Sequence, residues 1–164
     1  AMDAIARGGS DGLRLVANVG AMVIILVSLV ALVNYILSAL PLDEALTLQR
    51  VMGWLFAPVA WVMGVEWADA PAAGALLGTK LILNELIAYI QLGGMGDELA
   101  PQTRLIMTYA LCGFTNFGSL GILIGGVSAL APERRSDLLS LGPKTLLSGT
   151  IVACLTGTIA GLVG

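Results

Sequence analysis

The sequence predicts an all-α integral membrane protein, built from transmembrane helices, an interfacial helix and a re-entrant helical hairpin. Three observations predict this class. Hydrophobic residues make up 57% of the 164 residues, only 12% of the residues are charged, and the mean hydropathy is +0.93. This apolar content exceeds what a soluble domain of the same length needs for its core. One long stretch, residues 15–40, contains no charged residue at all.

The first two elements follow from the pattern of apolar residues. Residues 15–40 predict a transmembrane helix, because roughly 20 apolar residues span the hydrocarbon core, and Pro41 marks its end. Residues 42–57 place charged and polar residues among apolar ones at helical spacing. This pattern predicts an interfacial helix that lies along the membrane. Three tryptophans in a short span are expected near the headgroup boundary: Trp54, Trp61 and Trp67.

The third element, residues 70–92, is mostly apolar but contains ionisable and polar side chains. Lys80, Asn84 and Glu85 lie inside it. The segment is just long enough to cross the membrane as one helix. The alternative is a re-entrant hairpin of two short helices with its tip near residues 78–80, which is tolerated where protein or a cavity covers the tip.

Charge in the loops distinguishes between these two topologies. Arg7 and Arg14 precede the first span, and Arg134 and Arg135 lie between the last two. Cytoplasmic loops are enriched in Lys and Arg. If residues 70–92 re-enter, both arginine pairs lie on the cytoplasmic side, whereas a crossing by this segment alone would separate them. A second crossing by residues 51–67 would bring the pairs together again, but Pro58 and the three tryptophans disfavour it. The loop charges therefore favour the hairpin.

Two further membrane segments complete the chain. Residues 104–130 are interrupted by the glycine-containing sequence CGFTNFGS (112–119), which predicts a discontinuous transmembrane helix. Residues 138–163 are rich in Gly, Ser and Thr and predict a last transmembrane helix. Two GxxxG pairs in these segments predict close helix packing: Gly121 with Gly125, and Gly157 with Gly161.

The composition excludes several classes of function. Histidine is absent, so imidazole catalysis and His-ligated metal sites are excluded. The sequence has no nucleophile beside a base and no cluster with metal-ligand spacing, so it predicts neither catalytic nor metal-binding residues and no enzyme. Cys112 and Cys154 lie in apolar stretches and are expected to be free thiols. No basic run indicates binding to nucleic acid.

Glu85 is the residue that most needs an explanation. A carboxylate at bilayer depth costs roughly 3 kcal/mol or more, so it is kept where it faces a protein interior or a wet cavity. It accepts hydrogen bonds from two hydroxyls at once, while Asn116 and Ser119, on one helix face, both donate and accept. These three residues predict a clamp for a small polyhydroxylated solute such as a sugar ring, with Phe114 or Phe117 as an aromatic wall.

Structural roles are alternatives for the same residues. Glu85 and Lys80 would then form a buried ion pair, and Asn116 and Ser119 would be hydrogen-bond partners between helices. Lys80 either compensates Glu85 or caps the hairpin tip. Three neighbours of Glu85 in the sequence are candidates to support the site: Thr79, Lys80 and Asn84.

Four longer motifs resemble the C-terminal half of the concentrative nucleoside transporter family. They are WLFAPVAWVMGVEW (54–67), LLGTKLILNELIAY (76–89), RLIMTYALCGFTNFGSLGI (104–122) and APERRSDLLSLG (131–142). With residues 2–22, they cover nearly the whole chain. The Asn-Glu pair after GTK and the pattern CGFxNFxSxGI are the most specific parts of the resemblance.

The resemblance implies half of an inverted-repeat transporter, a multi-pass nucleoside symporter of the inner (cytoplasmic) membrane that is driven by sodium or by protons and assembles as a homotrimer. It places Glu85, Asn116 and Ser119 at the ribose and Phe114 against the base. The coupling cation and most base contacts would lie in a missing N-terminal half, so the chain is expected to be a piece of something longer. No bound cofactor is implied.

Two other functions fit the same residues. One is a structural or gating membrane module, whose polar residues only pack helices together. The other is a secondary transporter of a different polyhydroxylated solute. The first of these predicts that Asn116→Ala and Ser119→Ala lower stability without changing solute preference.

Overall fold

The computed structural model of the protein describes residues 2–39 and 46–164. Every regular element in these ranges is helical, so the predicted all-α class is confirmed for this part of the chain. The helices are α1 (Met2–Ser38), α2 (Leu48–Val62), α3 (Ala70–Ile82), α4 (Glu85–Gly94), α5 (Pro101–Ala110), α6 (Phe117–Leu130) and α7 (Arg135–Val163). A short 3₁₀ turn, Pro132–Arg134, leads into α7.

Helix α1 is one continuous helix of 37 residues, and it begins at Met2 rather than near Leu15. The end predicted at Leu40 and Pro41 lies outside the described residues. Asn34, near the end of α1, ties this helix to the start of α2. Its Nδ2 donates to Gln49 Oε1 at 3.0 Å, and its Oδ1 accepts from the backbone N–H of Leu48 at 2.7 Å.

Helix α2 differs from the predicted interfacial helix at its C-terminal end. The side chain of Thr47 caps the N-terminus of α2 by accepting a hydrogen bond from Arg50 N at 3.2 Å. Residues 42–45, with which the predicted helix begins, lie outside the described residues. The prediction that the helix stops at residue 57, before Pro58, is wrong, because α2 runs through Pro58 to Val62. Pro58 lies on the exposed side of the helix, so the buried face continues without interruption.

Helices α2 and α3 pack backbone against backbone. A Cβ atom added to Gly74 would lie 2.5 Å from Gly53 O and 2.8 Å from Ala57 N, and one added to Gly53 would lie 2.8 Å from Pro71 O. Only glycine allows such a close approach. The buried core surrounds this contact and consists of small and large apolar residues from α2 to α5, among them Ala60, Ala73, Leu76, Ala88, Ile106 and Met107.

The break in the third predicted segment does not lie where the sequence indicated. Residues 78–80 are buried inside α3, and the helices α3 and α4 are separated by Leu83 and Asn84. Gly78 lies against the side chain of Met52, so this glycine serves close packing on α2 and not a turn. Asn84 starts the new helix because its side chain caps the N-terminus of α4. The predicted tip at 78–80 is therefore wrong.

The second break lies between α5 and α6, at residues 111–116. Helix α7 packs beside this break, and a Cβ added to Gly157 would lie 2.8 Å from Ile106 O. Gly161 likewise lies against the Ile106 side chain, as the GxxxG motif predicted. Gly125 is different, because an added Cβ would meet nothing within 4 Å. Within the described part of the chain, Gly125 therefore makes no close helix contact, and the packing predicted for it stays a prediction.

The apolar helices differ in whether they are long enough to cross a membrane. Within the described residues, one stretch passes a test of length and composition for a membrane span: Pro132–Val163. Three apolar stretches are shorter: Val23–Ser38, Ala70–Ile82 and Phe117–Val127. The short stretch in α3 ends at the first helix break, and the one in α6 begins at the second, so each break adjoins one short apolar helix.

Candidate functional site

The two helix breaks are built in the same way, with an asparagine at the N-cap of the following helix. Asn84 has extended backbone (φ −170°, ψ 172°), and its side chain accepts from Ile87 N at 2.9 Å. Asn116 is also extended (φ −153°, ψ 168°) and accepts from Ser119 N at 2.7 Å. An asparagine N-cap satisfies one of the free N–H groups that begin every helix. Both half-helices thus begin at a buried or half-buried carboxamide.

A hydrogen bond joins the two breaks. Asn116 Nδ2 donates to Glu85 Oε2 at 3.0 Å, across 31 positions of sequence. Asn116 is only 3% exposed, and Glu85 is half-buried. The sequence predicted that these two residues act together, and the structure places them in contact.

The position of Glu85 explains how its carboxylate is stabilised. Glu85 is the first residue of α4, where the partial positive charge of the helix N-terminus favours an anion. The Asn116 amide adds a hydrogen bond to a charged acceptor, which is stronger than one between neutral groups. Within the described residues, Glu85 Oε1 has no protein donor. One carboxylate oxygen is therefore held by the protein while the other is available to a ligand.

Ser119 contributes to the site mainly by fixing its shape. Its Oγ accepts from Asn116 N at 3.1 Å and donates to the carbonyl of Phe114 at 2.9 Å, with Asn116 O as a second acceptor at 3.1 Å. Together with the Asn116 cap, this forms a capping box. The hydroxyl hydrogen is used inside the chain, so toward a ligand Ser119 offers an acceptor lone pair.

Two cavities adjoin these residues. One, of about 210 Å³, is lined by Asn84, Glu85, Phe114, Asn116 and Ser119 together with apolar side chains. The other, of about 340 Å³, shares Phe114, Asn116 and Ser119 and adds Thr115 and Thr145. Small-molecule pockets occupy about 300–1,000 Å³, so each cavity is at or below the lower end of that range. Phe114 is 70% exposed and stands between the two cavities, whereas Phe117 lines neither.

Lys80 and Thr79 do not belong to this cavity. Within the described residues, Lys80 forms no direct ion pair with Glu85, and it lies inside α3 rather than at a tip, so the predicted ion pair and the predicted tip cap are both wrong. Its Nζ donates to Ala110 O at 3.1 Å, and the side chain is 2% exposed. Thr79 is buried against α1 and α2, and its Oγ1 has no hydrogen-bond partner in the described part of the chain.

Sequence reasoning missed Tyr89. Its hydroxyl donates to Thr108 O at 2.6 Å and so connects α4 to the last turn of α5. A tyrosine in an apolar helix signals that its hydroxyl needs a polar partner. The sequence does not reveal that partner, because a main-chain carbonyl is present at every residue.

The fold and the site together define a class of protein. Broken helices whose half-helix ends meet at a polar group, inside an otherwise apolar helical fold, are the binding-site architecture of secondary transporters. This chain has two such breaks, joined by the contact between Asn116 and Glu85. It therefore has the architecture of a membrane solute transporter.

Comparison with known proteins identifies the family. The family profile described as "Na+ dependent nucleoside transporter C-terminus" matches residues 1–161. The chain belongs to this family, and the resemblance found in its motifs is confirmed. Since members of the family are transporters, the prediction that the protein is not an enzyme is confirmed as well.

Individual relatives match almost the whole chain. The uncharacterized transporter YutK of Bacillus subtilis (strain 168) is 44% identical over 164 residues, which cover 98% of this chain and 41% of YutK. Nucleoside permease NupC of Helicobacter pylori is 39% identical over 170 residues, which cover 99% of this chain and 41% of the permease. The structure of CNTnw in an inward-facing substrate-bound state has a TM-score of 0.86 at 39% identity, and the match covers 98% of this chain and 41% of that one. The chain thus spans about two fifths of the length of these relatives.

Proposed function

We propose that this chain is the C-terminal part of a sodium-coupled nucleoside symporter of the cytoplasmic membrane, and that it supplies the ribose-binding half of the solute site. The observation that carries the proposal is the hydrogen bond from Asn116 Nδ2 to Glu85 Oε2, since it joins both helix breaks at one cavity. Membership of the family supports a nucleoside as the solute and sodium as the coupling ion.

The hydrogen-bonding capacity of the site matches the two neighbouring hydroxyls of a ribose. Glu85 Oε1 accepts from one or both hydroxyls, and the second amide hydrogen of Asn116 donates to a hydroxyl oxygen. Ser119 offers an acceptor at the same cavity, and Phe114 provides an aromatic face for the base. Asn84 holds the start of α4 and so fixes the direction of Glu85.

The coupling cation, the contacts to the base and the assembly of the transporter involve regions outside the ribose site. We assign the coupling cation and most contacts to the base to the N-terminal half, which pairs with this chain as an inverted repeat. Helices α3 and α4 form the re-entrant hairpin, α2 lies along the membrane interface, and the complete protein assembles as a homotrimer. No bound cofactor takes part.

Uptake by the complete transporter tests the function. The protein is reconstituted in proteoliposomes, and accumulation of radiolabelled uridine and adenosine is followed with an inward sodium gradient and with choline in its place. Sodium-dependent accumulation of either nucleoside, inhibited by excess unlabelled nucleoside but not by glucose, is expected. Failure to take up either nucleoside under a sodium or a proton gradient would overturn the proposal, and uptake inhibited by glucose would indicate a different polyhydroxylated solute.

Replacing Asn116 by serine separates solute binding from helix packing. Serine is also a good N-cap, so α6 keeps its start, but the shorter side chain no longer reaches Glu85. The variant loses a donor to Glu85 and a donor to the solute, and a hydrogen bond to a charged group contributes about 1.5–3 kcal/mol, so the KM for nucleosides is expected to rise about tenfold or more and thermal stability is expected to fall. The matched control is Asn34→Ser, which breaks the tie between α1 and α2 far from the cavity. An Asn116→Ser protein with the parent KM and reduced stability would favour the structural module instead.

A further inference from the structure

The C-terminal end of α5, directly before the second break, has all four of its free carbonyl groups satisfied. The last four carbonyls of a helix have no partner within the helix. Tyr89 Oη donates to Thr108 O at 2.6 Å, and Lys80 Nζ donates to Ala110 O at 3.1 Å. The other two carbonyls accept from the break itself, Leu111 N to Met107 O at 2.9 Å and Cys112 N to Tyr109 O at 3.2 Å. The end of α5 is thus held by one side chain from α3 and one from α4.

Lys80 and Tyr89 together cap the C-terminal end of α5, and Lys80 is the charged residue of this cap. Its side chain is 2% exposed, and a positive charge at a helix C-terminus meets the partial negative charge of the helix dipole. The ammonium also lies against the break. A Cβ added to Gly113 would lie 3.0 Å from Lys80 Nζ and 2.9 Å from Ala153 Cβ, so Gly113 leaves the space that the ammonium occupies.

The cap and the solute site lie on the same two stretches of chain. Glu85 follows Lys80 by five positions, and Asn116 follows Ala110 by six. The contact between Lys80 and Ala110 and the contact between Glu85 and Asn116 therefore join the same two stretches of chain, a few residues apart. Lys80 does not line the cavity, so any effect on solute binding passes through this geometry.

We propose that Lys80 is a positioning residue of the solute site: its buried ammonium caps α5 and holds the break at residues 111–116 where Asn116 meets Glu85. The positive charge of Lys80, and not only the length of its side chain, keeps the break at residues 111–116 in place. This inference rests on the proposed function where nucleoside uptake is measured. The hydrogen-exchange measurement does not depend on the proposed function.

The test compares Lys80→Met and Lys80→Arg with the parent in the complete transporter. Lys80→Met keeps the length of the side chain but leaves the buried carbonyl of Ala110 without its donor, so a purely structural role predicts lower thermal stability with the parent KM. The positioning role predicts that Lys80→Met also raises the nucleoside KM about tenfold or more, with a smaller change in maximal rate. Lys80→Arg keeps the charge, so its KM is expected to lie closer to that of the parent than the KM of Lys80→Met. The control is Lys144→Met, an exposed lysine on α7.

Hydrogen exchange measured by mass spectrometry provides a readout that needs no solute. The amides of residues 111–116 are expected to exchange faster in Lys80→Met than in the parent and in Lys144→Met. If the parent takes up no nucleoside, the proposed function fails and hydrogen exchange alone decides the role of Lys80. An unchanged KM with unchanged exchange in Lys80→Met, or an equal rise in KM for the Met and Arg variants, would overturn the proposal. Should Lys80→Met not fold, Lys80→Gln keeps a hydrogen-bond donor without the charge, and parent-like exchange at residues 111–116 in Lys80→Gln would also overturn the proposal.

Discussion

Replacing Glu85 by glutamine in the complete transporter is expected to lower nucleoside uptake, measured as kcat/KM, by about 100-fold or more. The glutamine oxygen still accepts from Asn116, which leaves an NH2 group where the free carboxylate oxygen faced the cavity. Solute hydroxyls then meet a donor in place of a charged acceptor. Hydrogen bonds to charged groups contribute about 1.5–3 kcal/mol each, and two of them account for a loss of this size.

Two comparisons make this result specific. Glu66→Gln removes an exposed carboxylate in the turn between α2 and α3 and is expected to leave uptake unchanged. Thermal stability of Glu85→Gln is expected to equal or exceed that of the parent, because the change removes a charge from apolar surroundings. Uptake by Glu85→Gln at the parent rate and KM would contradict the assignment of Glu85 to the solute site.

Replacing Gly74 by alanine is expected to have the largest effect on folding. The added Cβ would lie 2.5 Å from Gly53 O, 2.8 Å from Ala57 N and 3.0 Å from Phe56 C. All three atoms belong to the backbone of α2, so no side chain can move aside, and α2 must separate from α3. Overpacking in cores typically costs about 1–3 kcal/mol, and a clash with backbone is expected at the upper end.

The matched control for Gly74→Ala is Gly125→Ala, in α6, where an added Cβ meets nothing within 4 Å. Both variants place one methyl group in a helix interior, so their difference isolates the contact with α2. The measurement is the thermal unfolding of the detergent-solubilised transporter. Equal unfolding temperatures for the two variants would show that the close approach of α2 and α3 does not support the fold.

Chemical complementarity allowed the sequence to predict that Glu85 and Asn116 lie together. Glu85 needed a donor in apolar surroundings, and Asn116 and Ser119 were the polar residues in a segment whose glycines indicated a break. The structure places Asn116 on Glu85 and the break at residues 111–116. The pattern succeeded here because a charged group inside an apolar segment has few ways to be satisfied.

The same pattern could not locate contacts made through the backbone. Lys80 was expected to pair with Glu85 or to cap a tip, but it donates to the carbonyl of Ala110, a group that carries no sequence signal. Gly78 indicated a turn because glycine favours turns, whereas close packing on Met52 is its actual role. Glycine serves both purposes, and only the neighbouring helix decides between them.

The proposed function depends above all on the contact between Glu85 and Asn116. The difference in affinity between nucleosides with and without ribose hydroxyls tests this contact most directly. The dissociation constants of a ribonucleoside and its 2′,3′-dideoxy analogue are measured by titration calorimetry on the purified complete transporter and on its Glu85→Gln variant. The parent is expected to bind the ribonucleoside about 100-fold more tightly than the analogue, because two charge-assisted hydrogen bonds are lost in the analogue, and Glu85→Gln is expected to remove most of this preference. Equal discrimination by the parent and by Glu85→Gln would show that other residues recognise the hydroxyls and that Glu85 does not bind the ribose.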